Sequence, residues 1–179
     1  TVDCFRAFID DPYIFGQIAA NHALGDIFAM GAEAQTATAV ATVPQGLESK
    51  VEDTVYQMMA GALEILNDAD CALVGGHTGE GQELALGFAI NGLIDDQPDN
   101  IMRKGGMQPG NVLILTKPIG TRTLFAAHAR LATRGRWLDA ALRSMRHSTR
   151  LAAQCLHRQL ATACTDLTGF CLLGPLVEM

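Results

Sequence analysis

Aromatic side chains make up only 6% of this 179-residue chain, and charged ones only 18%. Lysine and arginine never form a run, and the formal net charge is −6. That excludes the basic stripe of a nucleic-acid binder. An acidic chain can still hold a polyphosphate when metal ions bring the positive charge. No two of the cysteines, Cys4, Cys71, Cys155, Cys164 and Cys171, have C-x-x-C spacing, and their number is odd. A disulfide scaffold is excluded on that count, and reduced cytoplasmic thiols that pack as small apolar groups are expected. There is no signal-peptide pattern and no apolar run long enough to cross a bilayer. Neither G-x-x-x-x-G-K-[ST] nor a G-x-G-x-x-G after the first strand occurs. What is plentiful is apolar or small: 49% hydrophobic residues and 18 glycines. The length allows one large domain or two small ones with a sizeable core.

Val2, Cys4 and Phe5 read as part of a first strand. Asp11-Pro12 opens a helix, with an N-cap carboxylate before a proline at the first helical position. The helix should run to about Met30, stop at Gly31, and be buried, since it is apolar on nearly every face. Within it lies ANHALGDIFAMGA, residues 20–32. His22 and Asp26, four apart, share one face. A carboxylate there is costly unless something pairs with it. TATAVATV, residues 36–43, reads as a strand closed by Pro44. Ser49 to Glu52 fits a capping box. The helix that follows sets Val51, Val55, Met58, Met59, Ala62 and Leu66 at amphipathic spacing, with the methionine pair as core filler.

Cys71 to Val74 reads as a short buried strand leading into a glycine-rich loop, GGHTGEG, residues 75–81. Leu84 to Ile94 reads as a strand, DDQPDN (95–100) as a turn and residues 102–110 as a connector. NVLILTKPIG (111–120) reads as a strand that opens a second domain, giving domains 1–108 and 109–179. Arg122 to Ala132 and Trp137 to Ala163 read as helices, with a break near Gly135. The order indicates an α/β or α+β fold rather than a clean Rossmann pattern. The chain starts as though a strand were already under way and ends inside an apolar helical pattern, so a piece of a longer protein is expected.

Three carboxylates sit in or beside apolar sequence: Asp3 in TVDCF, Asp26 in LGDIF and Asp166 in CTDLTGF. Mg²⁺ takes one or two carboxylates together with phosphates and water, so three such side chains from separate elements could hold ions around a triphosphate. Each could equally cap a turn or pair with a buried arginine. The glycines of 75–81 would let backbone N–H groups approach a phosphate or ribose, although an ordinary hairpin loop has the same composition. His77 could be a contact or a plain loop histidine. Thr165, Asp166 and Thr168 crowd a turn before Gly169, where capping of the final helix is the simpler reading. Lys117 could meet a phosphate or stand solvated. His128, His147 and His157 read as surface residues.

Taken in order, DDPYIFGQIAANHALGDIFAMGA, LVGGHTGEG, LILTKPIG and TDLTGFCLLG resemble the selenophosphate synthetase (selenide, water dikinase) family across essentially the whole chain. LTKPIG with TDLTGF separates that family from aminoimidazole ribonucleotide synthetase, thiamine-monophosphate kinase and the hydrogenase maturation ATPase. The resemblance implies a two-domain aminoimidazole ribonucleotide synthetase-like fold of α+β type. A mixed sheet would pack on helices in the first domain, and the second domain would be incomplete. It implies conversion of selenide, ATP and water to selenophosphate, AMP and phosphate by a homodimer that pairs its sheets. Asp3 and Asp26 would bind nucleotide and Mg²⁺, and Asp166 would hold Mg²⁺ from the second domain. Gly76, His77 and Thr78 would contact ATP from the partner subunit, and Asn21 and His22 lie beside Asp26. The family's glycine-rich segment with a catalytic cysteine (or selenocysteine) and lysine is not in this chain. Cys171 stands where glycine is usual, Pro175 where histidine is, and Gly25 where serine is. The competing expectations are a superfamily kinase acting on another acceptor, and a non-catalytic dimerising or nucleotide-binding module fused to a redox domain.

Overall fold

A computed structural model describes residues 1–94, 101–168 and 172–179. The turn expected at 95–100 and the residues Gly169, Phe170 and Cys171 lie outside the described residues.

Asp11 caps helix α1 (Pro12–Ala29) by accepting from the Ile14 N–H at 2.9 Å, and Pro12 occupies the first turn. Met30 is the C-cap and Gly31 leaves the helix with φ 76°. Phe15, Ile18, Ala19, Ala20, Ala23 and Leu24 are almost completely buried, as an all-round apolar helix requires. Helix α2 (Glu48–Asp68) crosses α1 closely because two glycines let the backbones meet. A Cβ on Gly16 would lie 1.9 Å from the Met58 carbonyl oxygen, and one on Gly61 would lie 2.0 Å from that of Tyr13. Met58 is fully buried and Met59 packs at the edge of the core, as the amphipathic spacing predicts.

The two helices cover one face of a four-stranded mixed sheet of order β1-β4-β2-β3. The strands are β1 (Val2–Arg6), β2 (Glu33–Val43), β3 (Ala72–Glu80) and β4 (Ala85–Leu93). β4 runs antiparallel to both β1 and β2, while β3 lies parallel to β2 after the α2 crossover. Ala37, Ala39, Ala41, Leu86, Phe88 and Ile90 point into the core. The opposite face carries Cys4, Gly87, Val40 and His77 in one row across the sheet. Among the described residues no helix covers that row: Cys4, Val40 and His77 are exposed.

Beyond the sheet, residues 101–120 are irregular, and four short helices follow: α3 (Thr121–His128), α4 (Gly135–Arg146), α5 (Arg150–Arg158) and α6 (Leu173–Glu178).

Several expectations are corrected. Residues 75–80 form the second half of β3 and not a loop, because β2 offers a continuous parallel ladder from Thr38↔Gly75 to Val43↔Glu80. Ladder bonding there outweighs the poor strand preference of glycine. Conversely, 111–120 is not a strand. Val112, Leu113, Ile114 and Leu115 are all more than half exposed, with no strand beside them among the described residues. Strand propensity alone cannot hold a strand without a ladder partner. Ser49 and Glu52 lie inside α2, whose N-cap Leu47 has no side-chain bond, so the capping box does not form. The helix expected over 137–163 breaks into α4 and α5 at His147–Thr149. Cys71 is buried, but Cys4 and Cys155 are exposed rather than packed.

Candidate functional site

The costly carboxylate of α1 faces the neighbouring edge strand. Asp26 and His22 are half-buried on the helix side that meets β1. His22 Nε2 lies 3.6 Å from Asp3 Oδ2, and the Phe5 ring packs against the imidazole at 5.0 Å between centroids. The Thr1 hydroxyl donates to Asp26 Oδ2. Asp3, His22 and Asp26 therefore gather on one side of α1, with hard oxygen donors directed to a common edge of the sheet.

Asp166 arrives from the far end of the chain. Thr168 donates to its Oδ2 at 3.0 Å, and Thr165 is in reach of its Oδ1 at 3.5 Å. Those hydroxyls serve the carboxylate and not the start of α6, whose N-cap Leu172 makes no side-chain bond. Lys104 stands in the irregular segment 101–120. It is ion-paired with Glu178, and its pKa is raised first by that hydrogen bond and then by the charges of Glu178, Asp166 and Asp26. Burial, reinforced by the Asp166 charge, pushes the Cys164 thiol up.

Other expected residues sit elsewhere. The Asn21 amide is buried and donates to the carbonyls of Met145 at 2.7 Å and His147 at 3.1 Å. Lys117, expected to be solvated, is half-buried and donates to the same His147 carbonyl. Burial lowers its pKa. Gly76, His77 and Thr78 lie on β3, at the opposite sheet edge from Asp3. Asp3, Phe88, Ala39 and Gly76 form one row, so Asp3 and Gly76 stand three strand spacings apart, roughly 14 Å. Within one chain the two groups do not meet. Among the described residues no three His, Cys, Asp or Glu side chains form a metal cage by themselves. Mg²⁺ does not need one when phosphate and water supply the remaining oxygens.

Sequence reasoning missed the ion pair of Lys104 with Glu178. Lys104 sits in an irregular glycine-rich connector, where no periodicity marks it.

Residues 1–94 match the family model described as AIR synthase related protein, N-terminal domain. The chain belongs to the AIR synthase related family. Over its whole length it is 40% identical to a protein named selenide, water dikinase from Pelobacter propionicus and 41% identical to one from Geobacter metallireducens. It spans about half the length of these relatives, 50% and 51% respectively. Among solved structures, thiamine monophosphate kinase from Aquifex aeolicus matches 88% of the chain, with 54% of its own length covered. The TM-score is 0.72 at 16% identity, which is a likeness of fold. The mixed α/β fold is accordingly shared with that structure.

Proposed function

We propose that this chain is the nucleotide- and metal-binding core of a cytoplasmic selenophosphate synthetase, a magnesium-dependent phosphotransferase that uses ATP. The observation that carries the reading is the gathering of Asp3, His22 and Asp26 on one side of α1, with His22 Nε2 3.6 Å from Asp3 Oδ2 and the Thr1 hydroxyl donating to Asp26. The acceptor, selenide, comes from the activity in the names of the chain-long relatives. In this reading residues 1–108 form the nucleotide-binding and dimerising domain and 109–179 belong to a second domain.

The residues fit Mg²⁺. Asp3, Asp26 and Asp166 offer hard carboxylate oxygens from three elements, each half-buried and open to further oxygen ligands. When bound, Mg²⁺ would neutralise the triphosphate. Asp26 and Asp166 would hold it from α1 and from the 165–168 turn, and Asp3 would hold it from β1. His22 would orient Asp3, and Thr165 and Thr168 would orient Asp166 through the bonds described above. Asn21 would hold α1 in place behind them. Phosphoryl transfer is mostly positioning and charge neutralisation, so this division of labour suffices for binding. The overall reaction is selenide, ATP and water to selenophosphate, AMP and phosphate. The cysteine- and lysine-bearing catalytic segment of the family would come from outside these 179 residues.

Gly76, His77 and Thr78 would complete the site from a second copy. Two sheets meeting through the row Cys4, Gly87, Val40 and His77 would bury the uncovered face and bring one copy's β3 near the other's β1. Its partners are then ATP, selenide and a second copy, with no nucleic acid or membrane.

Titration calorimetry of ATP with and without Mg²⁺ tests the site. Mg²⁺-dependent binding should weaken by about tenfold or more in Asp26→Asn and in Asp166→Asn, the scale of losses seen when a metal site is disturbed. Unchanged Mg²⁺-dependent affinity in both variants would overturn the reading.

A further inference from the structure

Charge is divided unevenly along this chain. Residues 1–100 hold 16 of the 19 acidic residues and two of the 13 lysines and arginines, a formal net charge of −14 against +8 for residues 101–179. Most of the positive charge is arginine, and three of the arginines stand where α3 turns into α4. HARLATRGRW, residues 128–137, holds Arg130, Arg134 and Arg136 and no acidic residue. All three are exposed, and among the described residues none of them is ion-paired. The nearest acid in sequence, Asp139, pairs with Arg143.

Two apolar side chains share this corner. Trp137, the one tryptophan of the chain, is 45% exposed, with the Arg134 guanidinium 5.3 Å and the Arg136 guanidinium 6.0 Å from its ring centre. Cation–π attraction fixes the indole at the surface. Leu131 closes α3: its N–H donates to the His128 carbonyl at 2.8 Å, and the Ala132 N–H donates to that of Ala127 at 3.0 Å. This closure gives residue 131 a φ of 56°, a left-handed position that usually takes glycine. A leucine stands there, 92% exposed, so an apolar side chain is held out to solvent on a strained backbone. Leu160 closes α5 in the same way, at φ 55°, but Arg158 is its only arginine neighbour in sequence.

We propose that the α3–α4 corner is a docking surface for an acidic protein segment that carries an apolar side chain. Arg130, Arg134 and Arg136 supply the complementary charge, and Leu131 and Trp137 supply the anchor. Tryptophan and arginine are the side chains that dominate protein interfaces energetically. A nucleic acid fits less well, because the patch is one compact corner rather than a stripe, and the negative charge of residues 1–100 repels a long phosphate backbone. The proposal rests on this corner alone.

Because Trp137 is the one tryptophan, its emission reports what occupies the corner. The probes are a short glutamate-rich peptide with one central leucine, the same peptide with glutamate in place of that leucine, and oligouridylate of equal charge, each titrated into the whole 179-residue chain at low salt. The leucine peptide should shift the emission and bind about tenfold more tightly than its all-glutamate counterpart, the scale of burying one leucine. Added salt should weaken both. Arg134→Gln combined with Arg136→Gln should cut the affinity about fivefold, as the loss of two exposed charges would. Leu131→Gly suits the left-handed backbone and so keeps the fold. It should erase the advantage of the leucine peptide, while Leu160→Gly should leave that advantage intact. No emission shift with the leucine peptide, equal affinity for the two peptides, or unaltered affinity in the arginine double variant would overturn the inference. Tighter binding of oligouridylate than of the leucine peptide would overturn it too, and would assign the corner to nucleic acid.

Discussion

Asn21 shows what a polar side chain costs and gives inside an apolar helix. Its amide satisfies the Met145 and His147 carbonyls where α4 ends, so it ties the first helix to the second half of the chain. Asn21→Ala would leave the Met145 carbonyl without its side-chain donor, while the His147 carbonyl keeps Lys117, and should destabilise the protein by about 1–3 kcal/mol, read as a lower midpoint in urea unfolding. An unchanged midpoint would mean that water replaces the amide at no cost. Asp26 is a different case. Its cost was legible in the sequence because a carboxylate one turn from His22, amid Ala, Leu, Ile and Phe, needs a partner. The ion pair of Lys104 with Glu178 was not legible. A lysine in a glycine-rich connector resembles any solvated lysine until the fold sets α6 beside it.

At the scale of elements, α1 and α2 depend on Gly16 and Gly61. Each permits a helix-to-helix approach that a methyl group would block with backbone atoms at 1.9 and 2.0 Å. Gly16→Ala should cost roughly 1–3 kcal/mol or more through overpacking, despite alanine's better helix propensity. A thermal melt of the variant at or above the wild-type midpoint would contradict that close crossing. The extent of α1 was readable from Asp11, Pro12 and Gly31 because caps are local chemistry. β3 was not, because a run rich in glycine becomes a strand only when β2 supplies the ladder, and that pairing is non-local. The same cause operates in reverse at 112–115, where four apolar residues carry strand preference but stand exposed without a partner. α4 and α5 read as one helix because the residues between them carry no glycine or proline.

At the scale of the molecule, the fold class followed from the order of elements, and the family followed from motifs in sequence. The geometry of the site did not follow. Asp3 and Gly76 share a row of the sheet but lie at its two edges, so the chain holds both halves of the proposed nucleotide site without closing them on each other. Linear order carries no information about which edge a strand will take. The proposed second copy resolves this by juxtaposing β3 of one protomer with β1 of the other.

Product analysis of this chain together with the cysteine- and lysine-bearing segment, supplied with Mg²⁺ and ATP with and without selenide, bears most directly on the central proposal. The account predicts selenide-dependent release of AMP and orthophosphate in equal amounts, falling with Asp166→Asn. ADP as the accumulating nucleotide product, or AMP formation indifferent to selenide, would contradict it and assign the same Asp26–Asp166 site to another acceptor.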